Sequence, residues 1–294
     1  MSDIQKVGIL GSGIMGSGLA EVAARAGYEV VVRSRSLTAA NAMIASIDKG
    51  FAKAIERGKA TEEERAAVLA RITATDHLGA VADCDLVIES VVEDLAIKKA
   101  LFAELEQIVK PSGILATNTS TLPVVEMAMV TQRPDKVVGI HFFNPAPMMK
   151  LVEVVRPITA SDETVSAALA FAASCGKDGV EVKDRAGFIV NALLFPYLNN
   201  AVRMCEQGTA SMETWRICEG RFEARVAPED GCLELWREGE RLPWRIQMAD
   251  GARVGVREEK AWTRRRRRRR AAGASDAEAR EASLATLCFT VESD

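Results

Sequence analysis

"KVGILGSGIMGSGLAEVAARAGYEVVV", residues 6–32, decides the fold. The run Val7–Leu10 is short and apolar, as a strand covered on both faces should be. The next six residues, Gly11-Ser12-Gly13-Ile14-Met15-Gly16, fit G-x-G-x-x-G. A helix pattern follows, and a second apolar strand closes a βαβ unit, the context in which this pattern binds a dinucleotide. Gly11 makes the tight turn, Gly13 lets the backbone approach a pyrophosphate, and Gly16 lets helix pack on strand. The helix N-terminus then offers unpaired N–H groups and a positive dipole end to the anion. Outside such a unit, the three residues would be no more than turn glycines.

The second strand ends as "EVVVRSRS", Glu29–Ser36. In NAD-binding units an acidic residue about 20 positions on bonds the ribose 2′-OH. Here Ser34 stands 18 residues after Gly16, between Arg33 and Arg35. A carboxylate would repel a 2′-phosphate, whereas a hydroxyl flanked by guanidiniums accepts one through charge-assisted bonds. The expectation is NADP, favoured over NAD. The alternative is two solvated arginines and loose use of NAD.

Outward from this unit, apolar strands and periodic helices alternate. Residues 38–58 read as a helix, and Thr61 with Glu64 forms a capping box that opens another. "CDLVIESVV" (84–92) reads as a buried strand, and "DLAIKKALFAELEQIV" (94–109) as a helix stopped by Pro111. "GILATNTST" (113–121), "DKVVGIHFFNP" (135–145), "MKLVEVVR" (149–156) and "VEVKD" (180–184) read as strands, with a helix over 163–175. Residues 187–207 read as one long helix kinked at Pro196. Alternation of this kind predicts an α/β protein with a parallel, doubly wound sheet.

Bulk properties narrow the classes. A length of 294 residues suggests about two domains, and 48% apolar residues supply an ample core. A net charge of −3 argues against a general nucleic-acid or membrane-surface binder. The six cysteines form no C-x-x-C pair, which suits a reduced, cytoplasmic chain better than a disulfide framework or a metal site. No charged segment followed by an apolar one precedes Val7, so no signal peptide is expected, and no apolar run reaches the roughly 18 residues of a membrane span.

Two histidines are present. His77, in "TATDHLGAV", reads as a surface residue; His141 ends an apolar strand, where open α/β sheets bind ligands. Alone, His141 reads equally well as a satisfied core residue. Glu153, twelve residues on within the apolar strand 151–155, needs a partner, and His141 is the natural one. A carboxylate on imidazole holds one tautomer and suits a general base. Asn118 and Ser120 end another strand at the same edge; Asn191 is an uncharged donor in "GFIVNALL", which also reads as a structural hydrogen-bonding residue.

At this point five segments together resemble the 3-hydroxyacyl-CoA dehydrogenase family, on the side of its bacterial 3-hydroxybutyryl-CoA members. They are "GILGSGIMGSGLAEVAARAG" (8–27), "VIESVVEDLAIKKALFAELE" (87–106), "ATNTSTLPV" (116–124), "GIHFFNPAPMMKLVEVV" (139–155) and "GFIVNALLFPYLNNAVRM" (187–204). The likeness runs from residue 4 to about 213. It implies a Rossmann-like doubly wound sheet over 1–185, then an all-helical second domain that is incomplete here. It implies interconversion of (S)-3-hydroxyacyl-CoA and 3-oxoacyl-CoA with NAD(P), in fatty acid and butanoate metabolism. By the same resemblance His141 is the acid/base, Glu153 its partner, Ser120 a hydrogen-bond donor to the reacting oxygen, and Asn191 a holder of the substrate carbonyl. Glu93, Lys98, Asn118 and Asn144 would lie near the nicotinamide side of the cofactor, and Lys53 and Arg57 near the CoA phosphates. The family is typically homodimeric through the helical domain.

That domain is represented by its first helix, within 186–213. After Trp215 the chain carries sixteen Arg and one Lys, against ten and eleven up to that point, and all four Trp lie after Met212. Residues 214–294 are expected to be irregular or disordered, with strand-like pieces and a solvated run Arg264–Arg270. An out-of-frame translation of a GC-rich gene accounts for this tail better than a replacement segment that binds nucleic acid. The alternatives to this CoA-linked enzyme are a damaged copy that binds cofactor without turnover, and a related hydroxyacid dehydrogenase with a lysine base. The absence of a G-x-x-x-K helix and the presence of HFFNP weigh against the second.

Overall fold

The computed structural model describes residues 4–207 and, beyond them, strand residues 215–217, 222–226, 233–237, 240–249 and 253–258. The chain divides into two units, Met1–Leu193 and Leu194–Asp294.

The first unit begins with β1 (Lys6–Leu10), α1 (Ile14–Arg25), β2 (Glu29–Arg33), α2 (Leu37–Glu56), α3 (Glu62–Leu69) and β3 (Ile72–Thr75). It continues with β4 (Leu86–Glu89), α4 (Leu95–Ile108), β5 (Ile114–Thr117), α5 (Val124–Ala128), β6 (Val137–Phe142), β7 (Leu151–Arg156), α6 (Asp162–Ser174) and β8 (Asp178–Lys183). Eight strands form one sheet in the order β3-β2-β1-β4-β5-β6-β7-β8. The first six positions follow the doubly wound dinucleotide-binding order, with the switch point between β1 and β4.

Both faces of the sheet are covered. In β2, Val30 and Val32 join a core with Leu19 of α1, Phe51 of α2 and Phe171 of α6. The intervening Val31 joins a second core with Phe102 of α4 and Met127 of α5. Period-two alternation within an all-apolar strand thus feeds two layers at once. The C-terminal carbonyls of α4 are closed by Arg133, whose Nη atoms donate to Glu106 O at 2.8 Å, Val109 O at 2.7 Å and Lys110 O at 2.5 Å. The Thr61–Glu64 capping box forms as its spacing predicts, with bonds of 3.2 and 3.0 Å.

The sheet departs from an all-parallel one at a single pairing: β7 runs antiparallel to β6, and β8 returns parallel to β7. The reason is the connection. Only residues 143–150 separate β6 from β7, too few for the dozen or more residues of a parallel crossover. The short β3 and α5 carry too little periodicity to stand out in the sequence.

The helix α7 (Val190–Glu206) begins in the first unit and contains Pro196. It starts three residues later than the periodicity suggests. Gly187 and Phe188 adopt φ of +74° and +50°, left-handed values that a right-handed helix cannot include.

The described residues of the tail form β9 (Trp215–Ile217), β10 (Phe222–Val226), β11 (Leu233–Arg237), β12 (Glu240–Ala249) and β13 (Arg253–Glu258). Each pairs antiparallel with its sequence neighbour. Short strand-like pieces are what the sequence offers in this region. Strand pairing needs only brief local alternation, as in Phe222-Glu-Ala-Arg-Val226, which a search for sustained periodicity passes over. The run Arg264–Arg270 lies outside the described residues.

Candidate active site

The Gly turn comes first, because the rest of the site is arranged around it. Gly11 has φ +113°, and a Cβ there would sit 2.2 Å from Ser90 O, so both conformation and space require glycine. A Cβ on Gly16 would sit 2.0 Å from Gly11 O, where α1 meets the end of β1. At Gly13 a Cβ would meet nothing within 4 Å. Gly13 is also the N-cap of α1, and no side chain caps the helix there. Open space in front of an uncapped helix N-terminus fits a dinucleotide pyrophosphate.

Beside it, β2 delivers Arg33 half-buried, Ser34 buried and Arg35 exposed. Arg33 Nε donates to Asp76 O at 3.2 Å, which orients the guanidinium across the end of β3. Ser36 follows as the N-cap of α2, accepting from Ala39 N at 3.2 Å.

The chemistry-bearing pair lies at the one antiparallel junction. His141 of β6 stands directly opposite Glu153 of β7 in the ladder. His141 Nδ1 lies 2.7 Å from Glu153 Oε2, and the two side chains are 5% and 0% exposed. The other carboxylate oxygen, Oε1, accepts from Ile189 N at 2.9 Å and Val190 N at 3.0 Å. Burial pushes the Glu153 carboxyl upward, but the bond to His141 and the two backbone N–H groups outweigh it, and the group titrates below its ordinary value. Glu153 is therefore an anion that holds the proton on Nδ1 and leaves Nε2 as the basic nitrogen. Phe143 and Phe188 flank the imidazole, with ring centroids 4.4 and 5.6 Å away.

A second group of contacts joins this pair to β4 and β5. Lys98 of α4 is buried, with Nζ 2.8 Å from both oxygens of Glu89 and 3.3 Å from Glu93. Thr117 Oγ1 donates to Glu89, and Thr119 Oγ1 donates to Glu93. Glu93 also accepts from Ser120 N at 3.0 Å, and Ser120 O accepts from Asn191 Nδ2 at 3.4 Å. Asn118 Oδ1 accepts from Phe142 N at 2.8 Å, tying the end of β5 to the residue after His141.

Of the candidates from the sequence, His141, Glu153, Ser120, Asn191, Asn118, Glu93 and Lys98 thus share one connected set of hydrogen bonds and adjacent backbone. Asn144 stands two residues beyond the end of β6, before Pro145. Arg33, Ser34 and Arg35 stand at the end of β2, while Lys53 and Arg57 are exposed at the end of α2, apart from that set. Sequence reasoning missed Glu89, Thr117 and Thr119. The available signal was an acidic residue ending the apolar run "LVIE". It also missed Asp184, whose carboxylate accepts from Val124 N at 3.0 Å and Val125 N at 2.7 Å and so anchors the segment after Ser120.

Comparison with known proteins places the chain in a family. The model of the 3-hydroxyacyl-CoA dehydrogenase NAD-binding domain matches residues 6–185. A 3-hydroxybutyryl-CoA dehydrogenase of Mycobacterium tuberculosis is 46% identical over 216 residues, covering 72% of this chain and 76% of the relative. One from Clostridioides difficile is 41% identical over 208 residues, covering 71% and 74%. The crystal structure of (S)-3-hydroxybutyryl-CoA dehydrogenase PaaH1 from Ralstonia eutropha matches with a TM-score of 0.70 and 36% identity, over 71% of this chain and 74% of that one. With a matching domain over more than half of its length and relatives of this identity, the chain belongs to the 3-hydroxyacyl-CoA dehydrogenase family.

Proposed function

We propose that this chain interconverts short-chain (S)-3-hydroxyacyl-CoA and 3-oxoacyl-CoA, with a nicotinamide dinucleotide as hydride partner. The observation that carries the reading is the buried His141–Glu153 pair at the sheet's C-terminal edge, on the same molecule as an open Gly13 turn. Relatives named 3-hydroxybutyryl-CoA dehydrogenase support the chain length.

Gly11, Gly13 and Gly16 would hold the pyrophosphate, with Glu93, Lys98, Asn118 and Asn144 toward the nicotinamide side. When bound, the nicotinamide supplies or accepts a hydride at the carbon that bears the hydroxyl. His141 handles the proton. In oxidation its Nε2 takes the hydroxyl proton as the carbonyl forms; in reduction the imidazolium returns it to the forming alkoxide. Glu153 stays ionised throughout and steadies the imidazolium. Positioned acid–base catalysis of this kind contributes about 10²- to 10⁴-fold. Ser120 would hydrogen-bond the reacting oxygen, Asn191 the thioester carbonyl, and Lys53 and Arg57 the CoA phosphates. Lys98 is buried against two carboxylates, so its part is to fix Glu93 rather than to meet a ligand itself.

NADP(H) is the preferred cofactor in this reading, supported by Ser34 between Arg33 and Arg35 and by the lack of an acid at that place. Residues 1–185 form the dinucleotide-binding domain, 186–213 the first helix of the family's second domain, and 214–294 an out-of-frame tail. The cytoplasm is the proposed compartment. The experiment is the oxidation of NADPH and of NADH, in parallel, with acetoacetyl-CoA and the full chain. Faster NADPH turnover supports both parts. Equal efficiency with the two cofactors refutes the NADP preference, and binding without turnover refutes the activity.

A further inference from the structure

Glu153 has two oxygens and two separate duties. Oε2 faces His141 at 2.7 Å, while Oε1 receives the backbone N–H groups at the start of α7, from Ile189 just before it at 2.9 Å and from Val190 at 3.0 Å. Those N–H groups reach the carboxylate because the chain turns through two consecutive left-handed residues, Gly187 and Phe188. The turn is tightly built: a Cβ on Gly187 would lie 2.9 Å from Ala192 N, inside the first turn of α7. Phe188 is buried, and its ring lies against the imidazole at 5.6 Å. We propose that the Gly187–Val190 turn is a positioning element for the acid–base pair, and that its two N–H groups set the proton affinity of His141 by holding the far oxygen of Glu153.

The physical argument is one of shared charge. A carboxylate bonded to two N–H groups at the positive end of a helix has less charge to offer a third partner. With the N–H groups in place, Glu153 still fixes the Nδ1 proton but stabilises the imidazolium less. Without them, its whole charge falls on His141, and the imidazolium is favoured up to a higher pH. Uncharged groups complete the contacts seen around the imidazole: Asn118 accepts from the adjacent Phe142 N–H, and Phe143 and Phe188 flank the ring. The charged group acting on Glu153 is His141 itself. Burial raises the Glu153 carboxyl, and the His141 bond and the Val190 and Ile189 N–H groups lower it, in that order. The turn thus divides the charge of Glu153 between two duties: one oxygen holds the His141 tautomer, and the other is held by the backbone.

The inference rests on the proposed acid–base role of His141, but it is read without turnover. The direct variant is Val190→Pro. Val190 is the first residue of α7, where proline is tolerated, and the change deletes one of the two N–H donors. The measurement is the pH titration of the His141 imidazole by NMR in the full chain, beside the pH profile of kcat/KM. An upward shift of the imidazole midpoint by roughly half to one pH unit is expected, the size of losing one charge-assisted bond partly felt by the partner. Gly187→Ala displaces both donors and carries the same expectation, so it decides the matter if Val190→Pro does not fold. Gly176→Ala, at φ +69° with nothing within 4 Å, imposes similar backbone strain elsewhere and leaves the midpoint unchanged. An unshifted or lowered midpoint in a folded Val190→Pro or Gly187→Ala protein overturns the proposal. So does an equal shift in Gly176→Ala. If the wild-type chain has no turnover, the function reading fails while the NMR titration still judges this one.

Discussion

Replacing Glu153 with glutamine tests the acid–base assignment in a way that geometry makes sharp. The amide has one acceptor and one donor end, and two surroundings compete for them. Turning its NH₂ toward α7 sets it against the N–H groups of Ile189 and Val190, at 2.9 and 3.0 Å. Leaving two buried N–H donors without acceptors costs about 1–3 kcal/mol each. Turning the NH₂ toward His141 preserves both of those bonds and requires only that the imidazole move its proton from Nδ1 to Nε2. The second arrangement therefore wins by about 2–6 kcal/mol before the imidazole adjusts. The consequence is a folded protein whose histidine presents an N–H where a lone pair is needed. The expected loss is about 10²- to 10⁴-fold in kcat/KM, the full value of positioned general-base catalysis, with dinucleotide affinity kept. Stopped-flow oxidation of reduced cofactor with acetoacetyl-CoA measures the first, and a cofactor fluorescence titration the second. A Glu153→Gln protein within threefold of wild-type kcat/KM would refute the reasoning.

Four further expectations follow from the same contacts. Lys98→Met leaves Glu89, a carboxylate with no exposed surface, without its counter-charge and should lower stability by about 3–5 kcal/mol in urea unfolding. Ser34→Asp places a carboxylate where the sequence reading puts the ribose 2′ position; the NADPH-to-NADH ratio of kcat/KM should fall tenfold or more, equivalent to about 1.4 kcal/mol. Gly50→Ala lies within α2, where a Cβ meets nothing within 4 Å, and should raise stability by about 0.5–1 kcal/mol, read as a higher Tm. The Glu153 carboxyl titrates lower in the folded chain than its ordinary 4.5. Its contribution to stability is thus complete above that pH and lost as pH falls through the folded value. Acid unfolding of Glu153→Gln should be less steep than that of the wild type over that window.

The parts of this molecule that can be read from the sequence are those fixed by local chemistry. The Gly11–Gly16 turn announces itself because strand, turn and helix are contiguous. Most strands of the first unit stand out because they are apolar runs set among helices of another period; β3, with its mixed Ile72-Thr-Ala-Thr75, does not. The contact between His141 and Glu153 is legible because a carboxylate inside an apolar strand has few ways to be satisfied. What escapes is set by distance along the chain. Lys98 is named only through the family resemblance, and its partner Glu89 stays hidden until α4 folds over β4 and buries the pair. The second oxygen of Glu153 finds its partners 36 and 37 residues later, at a turn that periodicity absorbs into a helix. The reversal of β7 is foreshadowed only by the brevity of the segment before it.

That reversal has a design consequence. Because His141 and Glu153 face each other across one rung of an antiparallel ladder, their spacing is fixed by strand register rather than by the chain that joins them. The joining segment, residues 143–150, has its own anchor: the ammonium of Lys177, which donates to the carbonyls of Ala146, Pro147 and Met149 at 2.6, 3.2 and 2.8 Å. Proton handling and loop shape are mechanically insulated from each other. A graft that lengthens the segment around Met148, while keeping the carbonyls that Lys177 grips, would reshape the segment and leave the dyad in register. The segment thus tolerates a change of length, whereas a one-residue slip within β7 would turn Glu153 to the opposite face of the sheet.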